Sequence, residues 1–213
     1  MLEAARGLRR PWVQRALRQR VRRFRRKGEP IRLVIGAGPT AYRDWIITDL
    51  PVLDALRPAD WSRVFRPGDV DRILAEHVVE HWTEDEFRYF LSVVRPYLSW
   101  QGRIRIAVPD GFHPHPAYIE QVKPGGTGCG ADDHKVLYNY RTMTALLSEE
   151  GYKAEPLEYF SEEGQFRRTA WRLEDGFIMR SADHDPRNRE RPLSYTSLIV
   201  DALPSADWKG AVA

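Results

Sequence analysis

Between Arg32 and Leu50 the apolar run Leu33-Val34-Ile35 ends in Gly36-Ala37-Gly38, and a second run, Ile46-Ile47, ends at Asp49. Open α/β sheets hold the ribose of an adenosine-bearing ligand with this arrangement: a strand, a glycine turn, then a neighbouring strand closed by a carboxylate. The interval constrains the fold further. Only about six residues separate Gly38 from the next strand, whereas an ordinary parallel crossover takes a dozen or more. The first crossover is therefore shortened and its helix is at most one turn.

The rest of the chain continues the alternation. Strands are expected over residues 31–35, 45–49, 70–75 and 103–108, then over 152–160 and 195–203. A helix is expected over 83–98, where Thr83 and Glu86 stand at capping-box spacing and Phe87, Phe90, Leu91 and Val94 form one face. Another is expected over 140–150, ended by Gly151. Residues 111–136, rich in Pro, Gly and His, read as a long functional loop. The charged segment before the last strand, with Trp171 and Phe177, reads as an insert that could hold a hairpin. Alternating strands and helices predict an α/β fold with a mainly parallel sheet covered on both faces.

At 213 residues with 42% apolar residues and seven Trp, the chain is long enough for one folded domain with a real core. One cysteine, Cys129, excludes an internal disulfide and fits a reducing compartment. No apolar stretch approaches a membrane span, and residues 1–30 lack the apolar core of a secretory signal, so a cytoplasmic location is expected.

The net charge of +3 is unevenly spread: residues 1–30 carry +9 and the remainder −6. Pro11 reads as a helix start. Val13, Leu17, Val21 and Phe24 then form an apolar stripe on an Arg-coated helix, stopped by Gly28 and Pro30. The expected organisation is a basic amphipathic helix, 1–30, on a body spanning 31–213. The stripe is expected to pack on that body. A peripheral contact with an anionic membrane or a lipid-linked partner is the alternative, and nucleic acid is not expected.

Gly36-x-Gly38-x-x-Ala41 formally fits the dinucleotide fingerprint, but two features argue against a dinucleotide. The truncated helix offers little dipole to a pyrophosphate. Asp49 follows Gly36 by thirteen residues, against the ~20 of dinucleotide sites. S-adenosylmethionine (SAM), which has no phosphate, fits better.

The ordered stretches "RLVIGAG", "DWIITDL", "VLDA", "VDRILAEHVVEHW" and "FLSVVRPYLSWQGRIRIAVPD" resemble class I SAM-dependent methyltransferases. With "DDHKVLYNYRTM", "EGYKAEPLEYF", "DPRN" and "YTSLIVDA" they resemble a bacterial group within that class. The resemblance spans about residues 31–203. It implies a Rossmann-like sheet, mainly parallel with an antiparallel last strand. It also implies that Gly36, Ala37 and Gly38 pass beneath the methionine moiety and that Asp49 binds the ribose. Asp54, or Asp60 with Trp61 beside it, would sit near the adenine. Glu76 and His77 would line the cofactor cleft. The chain departs from the class in having Pro39-Thr40 where a third glycine is usual, and "LSWQG" in a surface turn.

Methyl transfer to oxygen or nitrogen requires placement and removal of a proton, commonly by histidine. His134, with Asp133 beside it, is the first candidate base and His113 the second. His81 reads as a structural histidine bonded to backbone. His113, His115, Asp133 and His134 are possible ligands, but a His-x-His on a Pro-broken segment is a poor signal, and no metal is expected. Asp185-Pro186-Arg187-Asn188 shapes the acceptor pocket or forms a self-satisfied turn. The acceptor is expected to be a small molecule, sugar or glycan. The competing readings are a nucleotide-dependent oxidoreductase using the glycine turn, and a nucleic-acid- or membrane-binding module led by the basic arm.

Overall fold

The computed structural model describes residues 2–38, 42–189 and 193–205, with side chains from Trp12 onward. In chain order the elements are α1 (Leu2–Lys27), β1 (Ile31–Val34), β2 (Ile46–Ile47), α2 (Pro58–Val64), β3 (Val70–Glu76) and α3 (Glu84–Val94). Then come β4 (Leu98–Pro109), α4 (Pro116–Val122), α5 (Tyr140–Glu149), β5 (Tyr152–Phe160), β6 (Phe166–Arg168) and β7 (Ser197–Pro204). The strands form one seven-stranded sheet in the order β2-β1-β3-β4-β7-β5-β6. The first four pair in parallel. β7 runs antiparallel between β4 and β5, and β6 pairs antiparallel with β5. This is the Rossmann-like, mainly parallel sheet with an antiparallel last strand. No helix stands between β1 and β2 among the described residues, and Ala41 lies outside them.

Local chemistry explains the helix starts. At α3, Thr83 Oγ1 accepts from Glu86 N while Glu86 accepts from Thr83 N, which completes the expected capping box. Asn139 caps α5 by accepting from Arg141 N and Thr142 N. The apolar stripes of α1, α2, α3 and α5 bury one face of the sheet, where Leu17, Val21, Trp61, Phe87, Phe90 and Met143 join Ile104, Ile106 and Val108. Among the described side chains of α1, Arg15, Arg20, Arg22, Arg23 and Arg26 are exposed.

Alternation along β4 turns Arg103, Arg105 and Ala107 to the other face. There Val34, Leu74, Ala107 and Ile199 pack with Trp45 and with Ile178 and Trp171 of the insert. Arg105, 1% exposed, makes a two-bond ion pair with Asp201 at 2.7 and 2.8 Å. Its remaining nitrogen donates to the carbonyls of Arg172 and Gly176. Each guanidinium nitrogen is thus engaged, as burial of a charge demands.

Several boundaries differ from expectation: α3 ends at Val94, not 98, and β4 begins at Leu98, not 103. α1 begins at Leu2, so Pro11 lies within the helix and not at its start. The 111–136 segment is not all loop: Pro116 opens α4, and Ala131–Asp133 is a single 3₁₀ turn. The hairpin is β5–β6, and Trp171 and Phe177 lie beyond it in an irregular stretch.

Candidate active site

The order of strands reverses direction between β1 and β3, the switch point at which open α/β sheets bind ligands beyond their carboxyl ends. β1 runs into Gly36 and Gly38, both in the left-handed region at φ +58° and +51°. A Cβ on Gly36 would come within 2.6 Å of Val78 Cγ2, so no larger residue fits. β3 runs into Glu76 and His77, and His77 also adopts a left-handed φ of +54°. A non-glycine residue held there stores local strain, a mark that clusters at functional sites.

A cavity of about 290 Å³ opens at this point, lined by Gly36, Ala37, Gly38, Tyr42, Glu76, His77 and Arg180. Glu76 is fixed by the Tyr42 hydroxyl at 3.3 Å and the Arg180 N–H at 2.8 Å. Burial, with the Glu76 charge, raises the Tyr42 hydroxyl's pKa, so this phenol stays protonated. Asp49 ends the second strand as expected, and its Oδ2 accepts from Gly38 N at 2.9 Å. The carboxylate thus joins the β2 end to the glycine turn. Asp54 is half-buried and caps its own turn by accepting from Leu56 N. Asp60 and Trp61 are fully buried. Asp60 accepts from Asp54 N, and Trp61 donates to the Ala55 carbonyl and stacks on Tyr97. Asp49, Asp54, Asp60 and Trp61 do not line this cavity.

A second cavity, also about 290 Å³, lies on the other side of His77 and Arg180, which line both. Its remaining wall includes Glu80, His81, Gln121, Cys129, His134, Arg187 and Tyr195. His77 is held at both nitrogens, by Glu80 Oε1 at 2.7 Å from Nδ1 and by Ser197 Oγ at 3.0 Å from Nε2. A carboxylate can only accept, so the proton sits on Nδ1 and the lone pair on Nε2. Burial alone would raise the Glu80 pKa, but the adjoining His77 imidazole holds it below the usual carboxylate range.

The structure rearranges the expected base candidates. Asp133 does not pair with His134. It binds Lys135 at 2.8 Å and faces His81 Nδ1 at 3.5 Å. His134 Nδ1 instead donates to the Val122 carbonyl at 2.7 Å, because the 3₁₀ turn carries the ring towards α4 and swings Asp133 outward. His81 does not bond to backbone through its ring; it packs edge-on against His134 in the second cavity. His113 is buried, stacked on Tyr118 with centroids 3.9 Å apart, and lines neither cavity. Burial and the neighbouring His115 push its pKa down to about 4. Asp110, which accepts from Phe112 N and Phe160 N, is pushed up to about 6 by burial against those bonds.

Sequence reasoning missed Glu80, Arg180, Tyr195 and Ser197. Glu80 sits in "EHVVEH" at the i+3 position from His77, a spacing that could have been read as a pair once a helical turn was placed there. Arg180 comes from the insert, where no local pattern marks it; Tyr195 and Ser197 stand in "YTSLIVDA", a stretch noticed without a role for either. Arg187 does reach the second cavity. It packs over Tyr195 at 3.5 Å and is gripped by Asp185, so its turn is both self-satisfied and a wall.

No protein-family model and no curated protein matches the chain. Among solved structures it is similar to a SAM-dependent methyltransferase from Archaeoglobus fulgidus, with 16% identity over 89% of this chain and 92% of that one, and a TM-score of 0.46. It is also similar to a possible histamine N-methyltransferase from Thermotoga maritima, with 10% identity over 82% of each chain and a TM-score of 0.47. A third is the CurJ carbon methyltransferase, with 18% identity, a TM-score of 0.47 and 83% of this chain covered; the match spans about half, 49%, of that structure.

Proposed function

We propose that this chain is a SAM-dependent methyltransferase that methylates an oxygen or nitrogen of a small-molecule acceptor. One observation carries the reading. Two cavities meet at the switch point of the sheet and share a wall, His77 and Arg180. A donor on the glycine side and an acceptor on the other side would face each other across that wall.

The donor cavity suits SAM on its own chemistry. Gly36 and Gly38 leave a backbone cradle that side chains would fill. Glu76 and the Tyr42 hydroxyl supply polar partners for the amino-acid half. Asp49 is placed to exchange its Gly38 contact for ribose hydroxyls. The adenine role falls to Asp54, because Asp60 and Trp61 are enclosed. When bound, SAM supplies a methyl already activated by its sulfonium.

The protein's own work is placement and proton removal. We assign proton removal to His77, whose Nδ1–H is oriented by Glu80 and whose Nε2 lone pair faces only a rotatable serine hydroxyl. The acceptor cavity, with Arg180, Arg187, Gln121 and Tyr195, suits a hydroxyl-rich acceptor such as a sugar or glycan. We read residues 1–30 as an appended basic helix whose exposed arginines could bring the enzyme to an anionic surface or a lipid-linked acceptor.

Isothermal titration with S-adenosylhomocysteine (SAH) and with nicotinamide dinucleotides tests the reading. Heat with the thioether nucleoside alone is expected; heat with the dinucleotides alone overturns it in favour of an oxidoreductase.

A further inference from the structure

We propose that Glu80, His81 and His134 form a divalent-cation site in the acceptor cavity. Ligand atoms of the three residues lie within 4.8 Å of one another, and all three line that cavity. Glu80 is 1% exposed, and its Oε1 lies 2.7 Å from His77 Nδ1, although neither oxygen has a well-aligned hydrogen bond among the described residues. Oε2 is buried with no hydrogen-bond partner among the described residues. A buried carboxylate oxygen left in that state is costly, and a cation satisfies it.

His134 is oriented as a ligand is, and His81 has a carboxylate near its Nδ1. His134 gives its Nδ1–H to the Val122 carbonyl at 2.7 Å, which leaves the Nε2 lone pair free. His81 turns Nδ1 to the Asp133 carboxylate at 3.5 Å. Metal-binding imidazoles characteristically hand their second nitrogen to a carbonyl or carboxylate in this way. Sequence-distant parts are brought together by the backbone: the Glu80 carbonyl accepts from Lys135 N at 2.7 Å and Val136 N at 3.3 Å, which pins the His134 segment against the 3₁₀ turn carrying Glu80 and His81.

Two imidazoles and one carboxylate favour zinc or a neighbouring first-row ion over magnesium or calcium, and leave a coordination position open. Bonds of about 2.0–2.1 Å need ligand atoms roughly 3.3 Å apart, so the side chains close by on the order of 1 Å when the ion binds. The open position faces the cavity. On the methyltransferase reading it would take an acceptor oxygen and make its proton easier to remove; the binding site itself does not depend on that reading.

The test is titration of the chelator-treated full chain with Zn²⁺, with Mg²⁺ alongside, followed by the same titration of His81→Asn and His134→Asn. SAH binding is measured on every sample to show that the fold and the donor cavity survive. One Zn²⁺ per chain is expected, far tighter than Mg²⁺, and weakened about 100-fold or more in each variant while SAH binding persists. Glu80→Gln should act likewise, but its buried position makes the histidine variants the deciding pair. Zn²⁺ affinity unchanged in both histidine variants, or Mg²⁺ binding equal to Zn²⁺, overturns the site. Zn²⁺ binding that obeys the prediction in a chain that never binds SAH keeps the site and removes the methyltransferase.

Discussion

The two cavities that meet at His77 have the same volume and are built in opposite ways. On the donor side the floor is the end of β1 and its glycine turn, with side chains of Tyr42, Glu76, His77, Met179 and Arg180 around it. On the acceptor side it is side chains gathered from β3, the 3₁₀ turn after it, α4, the 128–134 segment, the insert and the start of β7. The glycine turn depends on left-handed backbone at Gly36 and Gly38, and at Gly36 an added Cβ would also meet Val78. A side-chain pocket depends on many contacts, each replaceable. The same difference makes the donor half general and the acceptor half specific to this chain.

The comparison breaks first at Gly36. Gly36→Ala meets a left-handed φ, which costs roughly 1–2 kcal/mol, and a Val78 clash, which costs roughly 1–3 kcal/mol. SAH affinity is expected to fall about 1,000-fold by titration; an alanine variant that binds within threefold of the parent would show that the cradle is not backbone-limited. The next effect lies behind the acceptor side, at His113. Its pKa is lowered to about 4, so its contribution to stability is full above about 6.5 and is lost as pH falls through 4. His113→Phe keeps a ring on Tyr118 without a titrating group. Denaturant unfolding at pH 7 and pH 4 should show the parent losing about 3 kcal/mol more than the variant across that range; parallel losses would place the imidazole in water.

Smaller effects sharpen the contrast. Thr83→Ala removes a cap remote from the donor cavity and should cost about 1 kcal/mol of stability, read from the unfolding midpoint, with no change in SAH affinity. Arg187→Ala, on the acceptor wall only, should leave SAH affinity within about twofold and lower turnover of any hydroxyl-rich acceptor. A large loss of SAH affinity in that variant would mean the two cavities are one.

Legibility followed the range of the interactions. The α3 cap, Thr83 with Glu86, was readable because both partners lie within one turn. The β1 turn was readable because glycine there answers a local backbone need. His134 was expected to act as a base with Asp133 beside it; its ring lines the second cavity, but adjacency misled about the partner, because the 3₁₀ turn sent the two side chains in different directions. Arg105 and Asp201 read as ordinary strand residues, because nothing local says that two charges separated by 96 positions will face each other under the insert.

The sequence by itself determined the strand–turn–strand unit, the shortened first crossover, the alternation that makes a mainly parallel sheet, and the α3 cap. These rest on φ preferences, apolar period and caps, all short in range. Only the tertiary structure decided that Glu80, His81 and His134 converge, that His77 stands between two cavities, and that Asp60 and Trp61 belong to the core. Those outcomes depend on which distant backbones hydrogen-bond and which side chains are sealed from water, and no local pattern encodes either.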